Sequence, residues 1–354
     1  MHQFVYLLNN GQKYLRETLE SVFVQTFKDF EIVFIDVQST DDTYALALEY
    51  VQKDNRIRLF QNETNLGLVG NWNRCVELAK GEWIKFIFQD DLITHDCLKK
   101  MMASVKDDDT IVFCNRNFIF DDTIAENKKQ WFLNHAQLIT DLFLNLFHIS
   151  PETYSEIVLR NIGLNIIGEP TVVMLHRSAF HRFGLFNPNL IQVCDHEFWT
   201  RIATNTGITY IPEVLATFRV HADATTTKNH QFRDYRTNFL DFIIFLHDIV
   251  FHPIYLSLRT VAFRVSPSTD LTLLLRNSAR SAWFQAIRNS DPSLLNEWNK
   301  ISETYPALKL MASRTYSQEF LEYVTSKKSS IIYRLKFFKR SIFGFLKLSN
   351  SINT

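Results

Sequence analysis

The sequence predicts an α/β fold in which a mostly parallel sheet is flanked by helices and followed by a helical C-terminal extension. Short apolar runs alternate with amphipathic helical segments as far as about residue 122. The fourth of these runs ends abruptly at two adjacent carboxylates, Asp90 and Asp91. From about residue 230 onward the pattern is helical. The 354 residues are 46% hydrophobic, which is enough for a substantial core.

The alternation defines the elements in order. Strands are predicted at 4–8, 31–35, 57–60 and 83–88, and helices between them at 14–23, 42–53 and 72–79. Strands that are joined by helical crossovers pair in parallel. Later strands are predicted at 110–114, 171–175 and 215–220, with a helix at 198–203 and mixed helix and loop over 130–167.

Cysteine usage and hydropathy bound the cellular setting. The four cysteines lack zinc-site spacing and are few for a disulfide framework, which favours a reducing, cytoplasmic location; they are Cys75, Cys97, Cys114 and Cys194. The chain begins almost directly with a strand pattern rather than with a signal pattern. The apolar run at 242–258 contains His247, Asp248, His252 and Pro253, so it is a poor membrane span.

Charge is balanced overall but unevenly distributed. No acidic residue follows Glu322, whereas seven of the 38 basic side chains do. Apolar residues recur there at helical spacing, which predicts a basic amphipathic helix at about 327–348. Two interpretations stay open: attachment to an anionic membrane surface, or packing on the body with a solvated basic face. A nucleic-acid partner is not expected, because no reading motif accompanies the basic residues.

The acidic pair is the first candidate site. Asp90 and Asp91 end a buried strand, and α/β proteins bind ligands at that edge of the sheet. Paired carboxylate oxygens there suit a divalent metal and a diphosphate. The alternative is that the pair caps a helix beginning near Thr94. A dinucleotide-dependent oxidoreductase and a P-loop hydrolase are disfavoured, because the first turn has one glycine and no Gly-Lys-Ser/Thr element follows.

Ordered motifs across about residues 2–226 carry a family resemblance. The first block contains residues 10–22, Gln25-Thr26-Phe27, Ile35-Asp36, residues 39–43, Asn65-Leu66-Gly67, Asn73, Lys80-Gly81-Glu82 and Gln89-Asp90-Asp91. The second contains Gly184-Leu185-Phe186, residues 194–201 and Phe218-Arg219-Val220-His221. Together they resemble the glycosyltransferases of family 2, which have the GT-A fold.

The resemblance implies an inverting transferase that uses a nucleotide-sugar donor and Mg²⁺ or Mn²⁺. Asp91 would be the direct metal ligand, and His221 would reach the metal or the diphosphate. Asp90 would contact the donor ribose or sugar, or reach the metal through water. Arg219 is left between a phosphate partner and a structural salt bridge.

The resemblance also implies donor contacts and exposes departures. The implied donor-binding residues are Asn10, Asp36, Asn65 and Asn73, beside Asp90. The second acidic residue that the family usually has after its second strand is Val37 here, which cannot accept a hydrogen bond. The aromatic residue usual after the first strand is also absent. A UDP-sugar is therefore the family default and no more.

The base segment offers two carboxylates. Asp195 lies where the family places its general base, and Glu197 is the reserve candidate. The alternative for Asp195 is an N-cap on the helix predicted at 198–203. A carboxylate near a diphosphate should have a raised pKa, which suits a base near neutral pH. Region 115–170, with Arg116, Trp131, His135 and His148, is expected to shape the acceptor site together with Glu169-Pro170-Thr171.

These features predict two domains and one function. Residues 1–228 form the GT-A domain, with nucleotide-sugar binding at about 1–122 and the acceptor and base part at about 123–228; residues 229–354 form the helical extension. The expected activity is glycosyl transfer to a glycan or lipid-linked acceptor in surface polysaccharide synthesis of the O-antigen or capsule type. The protein would be cytoplasmic or peripheral at the inner membrane face. The alternative is a non-catalytic relative that serves as a scaffold in a glycan-assembly complex.

Overall fold

A computed structural model describes residues 2–106, 108–265, 270–289 and 291–313. Their strands form one nine-stranded sheet. The strands are β1 (His2–Leu8), β2 (Phe30–Asp36), β3 (Ile57–Gln61), β4 (Trp83–Phe88), β5 (Leu92–Ile93), β6 (Ile111–Phe120), β7 (His148–Ile149), β8 (Val173–His176) and β9 (Ile208–Val220). Their order across the sheet is β3-β2-β1-β4-β8-β6-β9-β5, and β7 pairs with β9.

The first half of the sheet is parallel. Strands β3, β2, β1 and β4 pair in parallel, and the intervening helices are α1 (Gln12–Phe23), α2 (Thr43–Lys53) and α3 (Gly67–Leu78). Successive residues of β1 and β2 have no exposed surface, as expected for strands covered on both faces. Leu8 pairs with Asp36, and Asp36 pairs with Gln61, so the strand ends meet at one edge. This edge carries the candidate donor residues.

The second half of the sheet is mixed, because antiparallel strands join the parallel pairs there. Strand β8 is antiparallel to both β4 and β6, whereas β6 and β9 run parallel to each other. Strands β5 and β7 are antiparallel to β9. The register of β6 on β9 shifts around Asn115, a β-bulge at the polar centre of β6. The fold class itself, α/β with a helical C-terminal region, is confirmed.

The remaining described helices surround the mixed half and then extend from it. They are α4 (Cys97–Ala103), α5 (Glu126–Leu142), α6 (Pro151–Arg160), α7 (Arg177–Phe183), α8 (Cys194–Thr206), α9 (Thr225–Phe232), α10 (Asp241–Phe251), α11 (Leu256–Val265), α12 (Leu271–Arg288), α13 (Pro292–Thr304) and α14 (Pro306–Ser313). A 3₁₀ turn, Pro170–Val172, precedes β8.

The helical extension supports the start of α8. The buried carboxylate of Asp241, the first residue of α10, accepts hydrogen bonds from the backbone N–H groups of Ile191 (2.9 Å) and Gln192 (2.6 Å). The Arg236 guanidinium donates to its other oxygen at 2.9 Å. The extension therefore fixes the loop that leads into α8.

Several predicted boundaries are corrected by long-range pairing. The helix expected near Thr94 begins at Cys97, because residues 92–93 form a strand on β9 and the Thr94 N–H donates to the Leu215 carbonyl. Strand β6 continues to Phe120, beyond the strand end predicted at residue 114. All four cysteines are buried and unbridged.

Membrane attachment rests on the sequence pattern alone. The helix predicted at 327–348 lies outside the described residues. In the described ranges, no single helix has the length and hydropathy of a membrane span; Arg236–Phe251 and Pro253–Arg264 reach that hydropathy together but meet at 75°.

Candidate active site

The acidic pair lies in the turn that follows β4. Asp90 keeps 20% of its side chain exposed, and its Oδ2 lies 2.9 Å from Nε2 of His221, the residue that follows β9. The Arg219 guanidinium donates from Nε to the Asp90 carbonyl at 2.9 Å. The structure thus brings together two residues that are 131 positions apart in the chain.

Asp91 points into the interior instead. Its side chain has no exposed surface, and its Oδ1 accepts the Arg219 N–H at 3.0 Å. Its Oδ2 accepts the hydroxyl of Thr171, which lies just before β8. Burial, and secondarily the negative charge of Asp90, raise the pKa of Asp91 well above its ordinary value. In this conformation both oxygens of Asp91 already have protein partners.

The sequence left two roles open for Arg219, a phosphate contact or a structural salt bridge, and the structure shows the salt bridge. Its guanidinium forms a salt bridge to Glu17 at 2.6 Å and lies 4.5 Å from the centre of the Tyr14 ring. The Tyr14 ring also lies 5.2 Å from the His221 ring. Sequence reasoning assigned no site role to Glu17 or Tyr14. Both lie on α1, and amphipathic periodicity alone does not distinguish them from other helix residues.

The residues around Asp90 fit a divalent cation whose other ligands come from the donor. Asp90 offers a carboxylate oxygen, which binds Mg²⁺ or Mn²⁺, and His221 offers an imidazole nitrogen, which suits a transition metal such as Mn²⁺ better than Mg²⁺. The described residues hold no group of three His, Cys, Asp or Glu side chains that could bind a metal by itself. Ligation by Asp91 would use the remaining lone pairs of its carboxylate oxygens, since the Thr171 hydroxyl and the Arg219 N–H each occupy one. The assignments of Asp91 and His221 as metal ligands stay predictions.

The loops after β1 and β2 are tied to each other beside the acidic pair. Asn10 adopts a left-handed φ of 52° and accepts the Thr40 N–H at 2.7 Å. Asp36 is fully buried, and its Oδ2 accepts from the Gln61 amide at 2.9 Å and from the Ser39 N–H at 3.2 Å. Its buried Oδ1 meets no hydrogen-bond donor among the described residues. A ligand hydroxyl at this strand edge would satisfy that oxygen.

Gln89 closes the gap between β1 and β4. Its amide exchanges two hydrogen bonds with the backbone of Asn9, at 2.7 and 2.8 Å. A Cβ on Gly11 would lie 2.2 Å from the Gln89 Oε1, so a larger residue there would displace the Gln89 side chain. Val37, which replaces the usual acidic residue, is only 2% exposed. The strand edge beside Asp36 therefore lacks the hydrogen-bond acceptor that an acidic residue at position 37 would provide.

Two predicted donor contacts already have structural partners. Asn65 accepts the Gly67 N–H at 2.9 Å at the start of α3. Asn73 exchanges two hydrogen bonds of 3.0 Å with the backbone of Phe186 and so fastens α3 to the segment before α8. Their donor-binding roles stay predictions. The side-chain amide of Asn73 would have to release Phe186 to contact a nucleotide.

Asp195 lies in the first turn of α8, partly exposed. The helix is capped by Val193, so the alternative that Asp195 is the N-cap is wrong. Its Oδ1 accepts the His196 N–H at 2.7 Å, and its Oδ2 accepts from the side-chain amide of Asn165 at 3.1 Å. Burial raises the pKa of Asp195 to about 7, and the negative charge of Glu169 acts in the same direction. A carboxylate with this pKa suits proton abstraction near neutral pH.

Glu197 is engaged elsewhere. Two residues along a helix turn a side chain through about 200°, so Asp195 and Glu197 lie on opposite faces of α8. Glu197 is buried and forms a bidentate pair with Arg201 at 2.9 and 2.7 Å, and it also accepts the Tyr255 hydroxyl. This geometry gives Glu197 a structural contact with the helical extension and leaves it no free oxygen as a reserve base.

The expected acceptor region divides into two parts. Arg116 is buried and pairs through Nε with Glu169 at 2.6 Å, and the charges of both residues act on the pKa of Asp195. His148 instead hydrogen-bonds Thr209 at the start of β9, the end opposite His221. Trp131 is exposed on α5, and its ring centre lies 5.2 Å from that of His135. The Arg116 part adjoins the candidate base, whereas His148 does not.

The chain is similar in sequence to known proteins. The sequence profile described as Glycosyl transferase family 2 matches residues 5–183. The chain is 30% identical over 224 residues to the uncharacterized protein MT1568 of Mycobacterium tuberculosis, which covers 63% of this chain and 67% of that one. It is 37% identical over 114 residues to the putative glycosyltransferase EpsH of Bacillus subtilis. That match covers 32% of this chain and 33% of EpsH. The chain thus spans only a third of EpsH.

A solved structure shares the fold. S. aureus TarS 1-349 in complex with UDP-GlcNAc superposes with a TM-score of 0.54 at 17% identity, over 87% of this chain and 92% of that chain. At this identity the likeness establishes the architecture alone.

Proposed function

The chain belongs to glycosyl transferase family 2, and we propose that it is an inverting, metal-dependent glycosyltransferase. It would move a sugar from a nucleotide-sugar donor to a hydroxyl of a glycan or lipid-linked saccharide. The observation that carries the proposal is the pairing of a half-buried Asp90 with His221 at the carboxyl edge of parallel strands. That edge is where open α/β sheets bind phosphorylated ligands.

Donor and acceptor chemistry would share one cleft. The charge of Glu169 raises the pKa of Asp91 on one side and of Asp195 on the other. Hydrogen bonds support this proximity, because Asn165, which bonds Asp195, and Thr171, which bonds Asp91, lie on either side of Glu169 in one short segment. A cleft with a cation-binding carboxylate on one side and a basic carboxylate on the other suits displacement of a nucleoside diphosphate.

Asp195 would remove the proton from the acceptor hydroxyl. The hydroxyl oxygen then bonds to the anomeric carbon while the bond from that carbon to the diphosphate oxygen breaks, so the configuration inverts. When bound, Mg²⁺ or Mn²⁺ would neutralise the diphosphate and favour its departure. Asp90 and His221 would hold it, with Asp91 as the further ligand that the family resemblance implies.

The site indicates the nucleobase of the donor less directly. The unpaired buried oxygen of Asp36 and the neighbouring loop at Asn10 are the proposed nucleoside contacts, with Asn65 and Asn73 behind them. A UDP-sugar is the first donor to test, since a protein of this fold has been crystallised with UDP-GlcNAc. Because the buried Val37 stands where the family usually has an acidic residue, donors with other nucleobases are tested as well.

The proposal assigns the transferase domain to residues 1–228 and a supporting helical extension to 229–354. The acceptor would be a surface polysaccharide precursor of the O-antigen or capsule type, reached at the inner face of the membrane. The basic pattern at 327–348 supports that location, because cationic amphipathic helices bind anionic lipid.

The direct test is a thermal-shift screen of UDP, GDP, dTDP and CMP nucleotides and their sugars, each with Mn²⁺ and with EDTA. The proposal predicts that one nucleotide class raises the melting temperature in Mn²⁺ and that EDTA removes the rise, because ligands of the native state stabilise it. Asp90→Asn should reduce the rise, whereas Asp54→Asn, in a surface pair with Arg56, should not.

A protein that no nucleotide stabilises, with or without Mn²⁺, would contradict the donor site. That result would favour the non-catalytic scaffold, for which the buried Val37 would mark a lost base pocket.

A further inference from the structure

We propose that residues 165–171, the 165–171 segment, form a positioning element that holds the Asp195 and Asp91 carboxylates in a fixed relation, with Asn165 and Thr171 as its positioning residues. The inference rests on the proposed function, because it concerns the geometry of that transfer. The Asn165 side chain contacts the candidate base, and the Thr171 side chain contacts the acidic pair.

One end of the segment is bonded to the base. The Asn165 amide donates to the Asp195 Oδ2 at 3.1 Å and to the Gly168 carbonyl at 3.0 Å. Its carbonyl oxygen accepts the N–H groups of Ile167 (3.3 Å) and Gly168 (3.0 Å). One amide therefore closes the turn and orients the base.

The other end is bonded to the acidic pair. The Thr171 hydroxyl donates to the Asp91 Oδ2, and both side chains are fully buried. The Thr171 carbonyl accepts from Nζ of Lys85, a buried lysine in β4. Since β4 also leads into the acidic pair, Lys85 ties the segment to the strand that carries Asp91.

The middle of the segment is rigidly held. Gly168 adopts a φ of 118°, and a Cβ there would lie 2.6 Å from the Arg116 guanidinium. The Trp199 indole donates to the Gly168 carbonyl at 3.0 Å, so α8 holds the segment as well. From Ile166 to Leu175, Glu169 alone is not buried, and Arg116 pairs with it. Such a segment can transmit the position of one carboxylate to the other.

The base end is tested with Asn165→Ala against Asn161→Ala, whose amide only bonds the Ile157 carbonyl in α6. Nucleoside diphosphate release from the accepted donor is measured from pH 5 to 9. Asn165→Ala should lower kcat roughly ten- to hundredfold, leave the donor KM within about twofold, and move the acid limb to higher pH. The pKa of Asp195 rises when its carboxylate loses a donor, while Glu169 and Arg116 still face it. Asn161→Ala should match the wild type.

A second variant guards against a collapsed turn. Asn165→Asp keeps an oxygen for the two backbone N–H groups but places a like charge beside Asp195. At pH 5, where one of the two carboxyl groups is protonated, its melting temperature should lie close to that of the wild type, and its acid limb should move further than that of Asn165→Ala.

The donor end is tested with Thr171→Val and Thr171→Ser against Thr204→Val, a buried threonine that bonds only within α8. Thr171→Val should lower kcat about tenfold and reduce the thermal shift given by UDP with Mn²⁺, and Thr171→Ser should restore both. If the segment acts as a unit, the double variant with Asn165→Ala should lose much less than the product of the single losses.

A normal kcat and pH profile in both Asn165 variants would overturn the inference, and so would fully multiplicative losses in the double variant. Either result leaves the proposed function standing if the wild type turns over its donor. A wild type that releases no nucleoside diphosphate from any donor would overturn both.

Discussion

Asp91 and Asp195 are carboxylates with raised pKa values in one candidate site, but their hydrogen bonding differs. Asp91 is fully buried, and each oxygen accepts from a protein donor, the Thr171 hydroxyl or the Arg219 N–H. Asp195 is partly exposed and keeps its oxygens on Asn165 and on its own helix. A raised pKa alone therefore does not identify a base. The accessible carboxylate can exchange a proton with substrate, whereas the enclosed one organises the turn around it.

The largest effect should come from removing the base. Asp195→Asn keeps the shape of the side chain but cannot take a proton, so kcat should fall about 10²- to 10⁴-fold. The melting temperature should stay within a few degrees of wild type. Single-turnover rates with saturating donor would measure the loss, and near-normal turnover would rule out Asp195 as the base.

The neighbouring carboxylate should show the opposite behaviour. Glu197→Ala leaves Arg201 buried without its partner, which should destabilise the fold by about 3–5 kcal/mol. Turnover per folded molecule should remain close to wild type. Denaturant unfolding with parallel rate measurements checks this prediction, and a stable but inactive Glu197→Ala would return Glu197 to the list of bases.

Asp91→Asn should separate binding from stability. An amide can still accept the Arg219 N–H and can donate to the Thr171 oxygen, while the cost of a buried charge disappears. The melting temperature without ligand should be unchanged or higher, and the Mn²⁺-dependent shift with nucleotide should be lost. An unaltered nucleotide shift would show that Asp91 is not needed for donor binding.

The pH dependence distinguishes the same two carboxylates. With the Asp195 pKa at about 7, the base is protonated below that pH, so the rate should fall up to tenfold per pH unit as pH drops from 6. A raised carboxyl pKa opposes folding above it, so the contribution of Asp195 to stability should improve as pH falls from 7 toward 4. Rate and melting profiles of wild type and Asp195→Asn check both trends. A wild-type rate that does not change between pH 8 and pH 5 would contradict the predicted fall in rate.

The smallest effect should come from Glu17, the outer partner of Arg219. Glu17 is 56% exposed, so its salt bridge should contribute no more than about 1 kcal/mol. Glu17→Gln should raise the donor KM less than about threefold. A much larger loss would mean that Glu17 contacts the substrate.

Sequence reasoning identified the parallel half of the sheet well and the mixed half less well. Buried runs such as β1 and β4 are almost continuously apolar and lie next to clear helices, so their bounds were predicted within two residues. Strand β6 extends past its predicted end at residue 114 and carries the polar Asn115 and Arg116 within the strand. The bulge and the buried pair with Glu169 explain that polarity, and neither is visible without the fold.

The site divides in the same way. Motifs in the sequence point to Asp90, His221 and Asp195, and the structure brings Asp90 and His221 into contact. Asn165 and Thr171 were missed as partners of the carboxylates, because their contacts span 30 and 80 residues. A sequence shows which side chains could act, but positioning contacts of this range depend on the packed fold.

The most direct measurement is nucleoside diphosphate release from a panel of UDP-, GDP-, dTDP- and CMP-sugars, with Mn²⁺ or EDTA, by wild type and Asp195→Asn. CMP-sugars would give the monophosphate, which the same assay can detect by chromatography. We predict that one donor class is consumed by the wild type in Mn²⁺, that EDTA stops the reaction, and that Asp195→Asn is inactive. Equal release by both proteins, or none by either, would contradict a transferase with Asp195 as its base.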